Sequence, residues 1–342
     1  MTATSTSRLE LSRAQVLGYR RNAGGLDARL PFGEESLRAA AWAGLQDSVP
    51  RAAVLSIHSR VAGVQPSTWE HPSLVQLWGP RFSVYVVDAR DLAVFSLGRL
   101  PDDVGGRKRA EDTAARLDEF LGGRRMGYGE AGHGLGVNPN FLRYAGATGR
   151  VLMRWDGAGT PPVWIVPRPE MDPGDARLEL ARRHLRVFGP TTPAAFAKWA
   201  GIKPAPARAA FDALAESLTP VKTPVGDAWI LAADEPAFRR PAGAVAPARF
   251  LPSGDSYWLL AGADRELLVP EADHRRDLWT PRVWPGALLV AGEMAGTWRR
   301  AGANMTIQTW RRLSPQERAA VLAEAESLPL PGVRPPMRVS WG

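Results

Sequence analysis

The sequence contains no cysteine among its 342 residues. This absence excludes disulfides, zinc sites built on thiolates and cysteine nucleophiles. The five histidines are scattered, and the nearest pair, His58 and His71, lacks the i,i+4 spacing with which a helix presents two ligands to one metal. We therefore expect neither a metal nor any other cofactor.

Long apolar segments are absent as well. The uninterrupted apolar stretches, such as residues 287–290, are far shorter than the roughly 20 residues that a membrane-spanning helix needs. Residues 1–7 are small and polar and lack the apolar segment of a secretory signal. These observations predict a cytoplasmic protein with no membrane partner.

Lysine is scarce, whereas arginine is abundant. Lysine occurs only at Lys108, Lys198, Lys203 and Lys222, although Lys and Arg together number 43 against 35 acidic residues, for a net charge of +8. Guanidinium groups make forked contacts with phosphates, so an arginine-rich surface suits a nucleic-acid backbone. A GC-rich genome also produces an Ala/Arg/Gly/Pro-rich chain, and composition alone does not separate these explanations.

The order helix, helix, helix, hairpin recurs along the chain. It is clearest in the middle, where Asn138 and Pro139 form a sound start for the third helix and residues 156–159 supply turn residues between two strands. The three helices and two strands of this copy are predicted at residues 111–121, 128–135, 138–147, 151–155 and 163–166. This order is typical of a winged helix, whose third helix reads DNA and whose hairpin forms the wing.

Two further copies flank the middle one. The copy that follows has predicted helices and strands at residues 176–188, 192–200, 204–217, 221–223 and 229–231. The copy that precedes it is less regular, with predicted helices at residues 13–21, 35–43, 50–61 and 72–78 and a strand at 82–87. After Asp88 the periodicity fits either the second strand of a hairpin or the start of a helix.

The character of the chain changes after residues 241–247. Short apolar segments broken by Gly and Pro predict strands at residue 251 and at 258–260, 267–269, 288–290, 297–299 and 305–310. They fit a small β-barrel or sandwich, and Ser314 with Glu317 then caps a last helix over 316–328. The expected α+β fold has winged helices at 8–107, 108–170 and 171–240, then a β-barrel and C-terminal helix at 241–342.

Several segments of the chain resemble the AlkZ/YcaQ-like family. They are residues 44–53 (GLQDSVPRAA), 188–192 (FGPTT), 199–201 (WAG), 251–255 (LPSGD), 264–265 (DR) and 292–300 (GEMAGTWRR). The resemblance implies three tandem winged helices and a barrel, and it favours a strand and then a helix after Asp88. No one of these motifs is diagnostic, but their order and spacing together are fairly specific.

The resemblance also implies an activity. Characterised relatives are monofunctional DNA glycosylases that repair alkylation damage by releasing bulky N7-alkylated bases, and they unhook interstrand crosslinks. Their catalytic Gln-x-Gln or Gln-x-Asp motif corresponds here to Gln46-Asp47-Ser48. Gln46 matches, but Ser48 departs from the pattern, which puts catalysis in doubt, and Asp47 carries its carboxylate one position away.

The chemistry suits a glutamine. An N7-alkylguanine is cationic and leaves readily, so the enzyme mainly has to orient water, which the amide oxygen of Gln46 can do. Asp47 and Ser48 also fit a helix cap before Pro50, and both roles stay open. Trp69 and the other tryptophans are expected in the core, and His58 and His184 are expected to be structural.

Six arginines are candidates for DNA contact if they converge on one concave surface: Arg51, Arg60, Arg143, Arg154, Arg299 and Arg300. We expect a monomer whose partner is double-stranded DNA. A non-catalytic DNA-binding protein is the alternative, and Ser48 favours it. A protein-interaction scaffold is a third hypothesis, and it predicts no salt-sensitive DNA binding.

Overall fold

The computed structural model describes residues 8–49, 51–157, 159–241, 243–330, 332–333 and 337–342. Pro50, expected at the first position of a helix, and Ala158, expected in a hairpin turn, lie outside the described residues.

The secondary structure is mixed, with helices and strands interspersed along the chain. The α-helices are α1 (Arg13–Ala23), α2 (Glu34–Ala40), α3 (Ala52–His58), α4 (Leu92–Ser96), α5 (Val104–Leu121), α6 (Tyr128–Gly134), α7 (Leu142–Ala145), α8 (Pro173–Phe188), α9 (Pro193–Ala200), α10 (Pro204–Ala213), α11 (Glu235–Arg239), α12 (Asp264–Leu268), α13 (Ala272–Leu278) and α14 (Pro315–Glu326). The strands are β1 (Leu9–Glu10), β2 (Leu45–Gln46), β3 (Leu74–Trp78), β4 (Val84–Asp88), β5 (Met126–Gly127), β6 (Val151–Met153), β7 (Pro162–Ile165), β8 (Leu218–Thr223), β9 (Gly226–Leu231), β10 (Ala248–Leu251), β11 (Gly286–Val290), β12 (Glu293–Ala301), β13 (Asn304–Thr309) and β14 (Arg338–Trp341).

Three units share one order of elements: a helix, a short extended segment, two further helical segments and a hairpin. The first unit runs from α2 through β2 and α3 to the β3–β4 hairpin, the second from α5 to the β6–β7 hairpin, and the third from α8 to the β8–β9 hairpin. In each unit the short segment pairs with the last strand, as β2 with β4, β5 with β7, and Thr191 with Trp229. The first unit thus begins at α2, and the predicted boundary at 107/108 falls inside α5.

The first two units share one six-stranded sheet, in the order β2-β4-β3-β6-β7-β5. The join is between β3 and β6, where Gln76 pairs with Met153. The helix predicted at residues 72–78 is wrong, because β3 lies there with a strand on each side. A short apolar run after a proline fits a helix start as well as a buried strand, and pairing with the next strand β4 and with the distant β6 decided between them.

The N-terminal segment completes the third unit. Strand β1 runs parallel to β8, extending the β8–β9 hairpin to three strands. Helix α1 begins with a capping box at Ser12, and its Val16 and Tyr19 pack with Phe238 of α11. This helix, expected to open the first copy, therefore lies outside the first unit and supports the third.

The C-terminal part forms a five-stranded sheet in the order β10-β11-β12-β13-β14. In the described part of the chain, β10 and β14 do not pair with each other, so the sheet stays open and the predicted barrel closure is wrong. Helix α14, capped by Ser314 and Glu317 as predicted, buries Val321 and Ala325 against the sheet. The strand predicted at 267–269 is also wrong, since α12 covers most of that segment.

One apolar core joins the units. Leu77 of the first unit, Leu152 of the second, Phe196 of the third and Trp258 of the C-terminal part are all buried in the same cluster. Each such side chain contributes roughly 1.5–3 kcal/mol when buried. This shared core fixes the units relative to one another, so residues far apart in the sequence can form one site. Within the described residues, no helix has the length and apolar character needed to cross a bilayer.

Candidate functional site

Gln46 lies at the junction of three segments. It belongs to β2, where it pairs with Tyr85 of β4, and its side chain is half-buried. Its Oε1 accepts a 3.0 Å hydrogen bond from Nη2 of Arg81, in the turn that joins β3 to β4. The orientation of the Gln46 amide is therefore set by an arginine from the hairpin of the same unit.

The Arg81 backbone is held in an unusual conformation. Its φ angle is 56°, in the left-handed region that residues with side chains seldom adopt. The turn packs against the end of α9, where a Cβ atom on Gly201 would lie only 2.9 Å from the Arg81 backbone nitrogen. The tip of the first hairpin is thus pressed against the third unit, and this contact fixes the position of the arginine.

A loop of the C-terminal part covers the other side of the Gln46 amide. Gly254 has a φ of +79°, and a Cβ atom there would lie 3.1 Å from Cδ of Gln46. The next residue, Asp255, accepts hydrogen bonds from Nη1 and Nη2 of Arg60 at 2.7 and 2.8 Å and from Oγ of Ser56 at 2.6 Å. This ion pair anchors the Gly254 loop to α3 and the turn that follows it.

The ion pair of Arg60 and Asp255 is internal, with side chains 3% and 0% exposed. Burial raises the pKa of Asp255, but the Arg60 charge and the hydrogen bonds outweigh it and keep this pKa below its ordinary value. Arg60 was expected to contact DNA. The structure instead buries it in this pair, where the charge is already compensated, so it does not belong to an exposed DNA surface.

Asp47 points away from the Gln46 amide into the protein, because successive residues of a strand face opposite sides. Its side chain is 1% exposed and accepts from the backbone nitrogen of Ala53 at 3.0 Å and from Nε2 of Gln76 at 2.7 Å. Burial raises the pKa of Asp47 to about 7, against the lowering effects of these bonds and of Arg51. The contact with Ala53 satisfies one backbone donor in the first turn of α3 from outside the helix. The N-cap position itself is Arg51, so neither Asp47 nor Ser48 is the N-cap residue that the sequence allowed.

Ser48 is exposed at the start of the loop before α3. None of the side-chain hydrogen bonds found among the described residues involves its hydroxyl group. The hydroxyl is therefore open to solvent beside the Gln46 strand, whereas the neighbouring carboxylate of Asp47 is not.

Two arginines from different units meet on one indole. The guanidinium carbons of Arg51 and Arg154 lie 3.6 and 4.5 Å from the ring centroid of Trp69, which is itself buried as expected. Cation–π contacts of this kind hold guanidinium groups in a fixed place. Arg51 has a left-handed φ of 65°, and burial lowers its pKa. The two cations therefore form a compact cluster beside the loop that carries Asp47, in which Arg154 also makes an exposed ion pair with Glu70 at 3.4 Å.

Gln76 connects this cluster to the Gln46 strand. Besides donating to Asp47, its Oε1 accepts a 2.6 Å bond from the backbone nitrogen of Trp155, next to Arg154 in the second unit. One hydrogen-bonded chain thus runs from the β2 loop to the β6–β7 hairpin. It connects Arg51 and Arg154, two of the six predicted arginines, to the Asp47 side of this loop.

The remaining predicted arginines lie elsewhere. Arg143 in α7 is half-buried, and its Nε atom has no hydrogen-bond partner within the described residues. Arg299 and Arg300 are exposed on β12 and donate to the carbonyl oxygens of Val283 and Gly302. No hydrogen bond or ion pair in the described part of the chain links these three to Gln46.

Two histidines are buried in the interior. Burial, assisted by the charge of Arg29, lowers the pKa of His58 to about 3, and burial and Arg20 do the same for His184. Both rings are therefore neutral at pH 7 and poor candidates for acid catalysis. Among the described residues, no group of three or more metal-ligating side chains is arranged to hold a metal ion.

Arg81 and Gly254 were missed as site residues. Arg81 lies between the predicted helix at 72–78 and the predicted strand at 82–87, and nothing there indicates a left-handed backbone. The Pro-Ser-Gly-Asp sequence around Gly254 does signal a turn, but its contact with Gln46 joins positions far apart in the chain. Only packing of the C-terminal part on the first unit brings them together.

Comparison with known proteins identifies the family. The sequence profile described as DNA glycosylase AlkZ-like matches residues 39–329. The chain belongs to the AlkZ-like DNA glycosylase family. The matched region of this AlkZ-like protein starts within α2 and so includes β2 with Gln46 and the Gly254 loop.

The structure supports the same relationship. The fold of the AlkZ-like chain is similar to that of the Streptomyces sahachiroi DNA glycosylase AlkZ, with a TM-score of 0.78 and 16% sequence identity. The similarity covers 98% of this chain and 100% of the other. At this identity the likeness concerns the fold alone. A comparison with curated protein sequences found no match.

Proposed function

We propose that this chain is a monofunctional DNA glycosylase that hydrolyses the N-glycosidic bond of bulky N7-alkylpurines, including those in interstrand crosslinks, in duplex DNA. The observation that carries the proposal is the environment of Gln46 in a chain of the AlkZ-like family. The amide is oriented by Arg81, covered on one side by Gly254 and half-exposed to solvent. A side chain held in this way is suited to positioning one water molecule.

The reaction needs little acid catalysis, because the N7-alkylated base is already positively charged. The bond between C1′ and N9 breaks, and its electron pair leaves with the base and neutralises it. A water oxygen bonds to C1′ of the resulting oxocarbenium ion, and the water proton passes to solvent. The Oε1 atom of Gln46 has two lone pairs, of which Arg81 occupies one, so the second can accept from this water.

Asp47 and Ser48 take different roles in this proposal. Asp47 positions the loop by binding the backbone nitrogen of Ala53 and the side chain of Gln76, since its carboxylate is covered by protein. The exposed hydroxyl of Ser48 provides the second polar group near the water, in place of the amide or carboxylate of the family motif. A hydroxyl group is a weaker water ligand than either, so we expect slow turnover.

The three units act as winged helices on the duplex in this proposal. Arg51 and Arg154 contact phosphates of the bound duplex, since Trp69 holds both guanidinium groups on one indole ring. Arg143, Arg299 and Arg300 serve as more distant backbone contacts. Guanidinium groups suit this role because they bind phosphate oxygens with two hydrogen bonds.

The test is base release from a duplex that carries a single N7-alkylguanine, measured for the wild type, Gln46→Ala and Gln65→Ala. Gln65 is an exposed glutamine of the same unit and serves as the matched control. We expect the Gln46 variant to lose about a hundredfold or more in rate, as is typical for loss of a group that acts on the transition state. Equal release by all three proteins would contradict the assigned role of Gln46.

A second candidate function is a DNA-binding protein without glycosylase activity, and Ser48 is the observation that favours it. Under this alternative the wild type binds alkylated duplexes in a salt-sensitive manner but releases no base. Ser48→Gln and Ser48→Asp restore the family motif, so a gain of activity in either variant, absent from the wild type, would establish the alternative for the natural protein.

A further inference from the structure

A small cavity next to the Gln46 site is lined by three cations. Arg81 comes from the first hairpin, Lys198 from the last turn of α9, and Arg265 from α12. Its volume is about 80 Å³, well below the roughly 300–1,000 Å³ of pockets for drug-sized ligands. The cavity has the size of a small polyatomic ion, and each of its cations comes from a different part of the fold.

The three cations lack acidic partners. Across the described residues, no carboxylate lies within ion-pair distance of Arg81, Lys198 or Arg265. Asp264 also lines the cavity, but it is held by Arg20 at 2.8 Å. With Arg20 counted, four cations surround this one carboxylate, so the charge around the cavity stays positive.

The arrangement is unfavourable in the free protein. Burial lowers the pKa of Arg265, and the nearby charge of Arg81 lowers it further. The Arg265 guanidinium lies over the ring of Trp279, at 4.8 Å from its centroid, so it is fixed in this position. Arg81 and Lys198 are exposed and Arg265 is half-buried. Like charges that line one small cavity without acidic partners attract an anion, because its binding relieves their repulsion.

We propose that this cavity binds one phosphate of the DNA backbone, the one that lies next to the nucleotide held at Gln46. The inference rests on the proposed function in that it takes duplex DNA as the partner. Arg81 connects the two sites, because the same guanidinium group lines the cavity and donates to Oε1 of Gln46. A phosphate in the cavity therefore fixes the arginine that orients the catalytic amide.

The experiment measures the affinity of the full-length protein for a short duplex containing an N7-alkylguanine, in which single linkages near the lesion are replaced in turn by neutral methylphosphonates. Lys198→Gln removes an exposed charge that has no partner to disrupt. Lys198→Arg retains the charge. Lys222→Gln is the control, since Lys222 pairs with Glu10 on β1 and does not line the cavity.

One linkage beside the lesion is expected to weaken wild-type binding roughly tenfold when it is neutral, as for loss of a hydrogen bond to a charged group. In Lys198→Gln, neutralising the same linkage weakens binding distinctly less, because part of the contact with this phosphate is already absent. In Lys198→Arg and Lys222→Gln, neutralising this linkage weakens binding as much as it does in wild type. A Lys198→Gln/Arg265→Gln double variant that still folds loses most of the dependence on this linkage.

Several results would overturn the proposal. One is that no linkage is found whose replacement by a methylphosphonate weakens binding to different extents in wild type and Lys198→Gln. Another is that inorganic phosphate binds tightly at constant ionic strength and this binding is lost in Lys198→Gln, while no linkage of the duplex shows such a difference. The cavity would then bind a free anion and not the DNA backbone. Conversely, the protein could show one linkage whose effect on binding depends on Lys198 and yet release no base. That result would refute glycosylase activity and leave the proposed phosphate site supported.

Discussion

Replacement of Gly254 by alanine tests the link between the C-terminal loop and the Gln46 amide. Two effects follow from the geometry. The backbone has a φ of +79°, which costs a residue with a side chain roughly 1–2 kcal/mol. The new Cβ would also lie 3.1 Å from Cδ and 3.3 Å from both Nε2 and Oε1 of Gln46, so the amide must move by a few tenths of an ångström.

The control isolates the second effect. Gly122 ends α5 with a φ of +52°, and a Cβ there would meet no atom within 4 Å. Gly122→Ala and Gly254→Ala are therefore expected to lower the free energy of unfolding by a similar amount, roughly 1–2 kcal/mol, measured by urea denaturation. Any further difference between them reports on the displaced amide.

The activity assay is base release from the N7-alkylguanine duplex under single-turnover conditions. We expect Gly254→Ala to lose about tenfold or more in rate, because displacement of a positioning group by 1 Å can cost about a hundredfold. Gly122→Ala should retain the wild-type rate. If Gly254→Ala were as active as Gly122→Ala, the contact between this loop and Gln46 would have no part in catalysis and the reasoning would be refuted.

Two further predictions concern the buried carboxylates. Asp255→Ala leaves Arg60 buried without a partner and should lower the free energy of unfolding in urea by about 3–5 kcal/mol; an Arg60→Met/Asp255→Leu double variant should recover much of it, and equal losses in the single and double variants would contradict this account. For Asp47, the folded pKa of about 7 lies above the ordinary 3.8, so its contribution to stability is complete below about pH 4 and is lost as the pH rises to about 7. The unfolding free energy of wild type relative to Asp47→Asn should therefore fall by up to about 4 kcal/mol over this pH range, at 1.36 kcal/mol per pKa unit. If this difference did not change with pH, Asp47 would not be held in a desolvated state.

The helices were largely determined by the local sequence. Ser314 accepts a hydrogen bond from the first turn of the helix that it was predicted to cap, and Ser12 and Thr192 cap the helices predicted at 13–21 and 192–200 in the same way. Capping and helical periodicity involve residues within a few positions of one another, so they are readable without knowledge of the fold. The family and the position of Gln46 were likewise available from the sequence, through several short segments in the right order.

The tertiary structure decided which of these side chains act together. The sequence predicted a helix at residues 72–78, although β4 follows β3 in the same hairpin, because β6, which pairs with the other edge of β3, belongs to a distant segment. The presence of a basic residue in the sequence did not show whether its side chain is exposed. Arg60 is buried in an ion pair with Asp255, 195 positions away, whereas Arg81 donates a hydrogen bond to Gln46. Local patterns report the conformation of one segment, but the partner of a charge depends on how segments pack, and packing is a property of the whole chain.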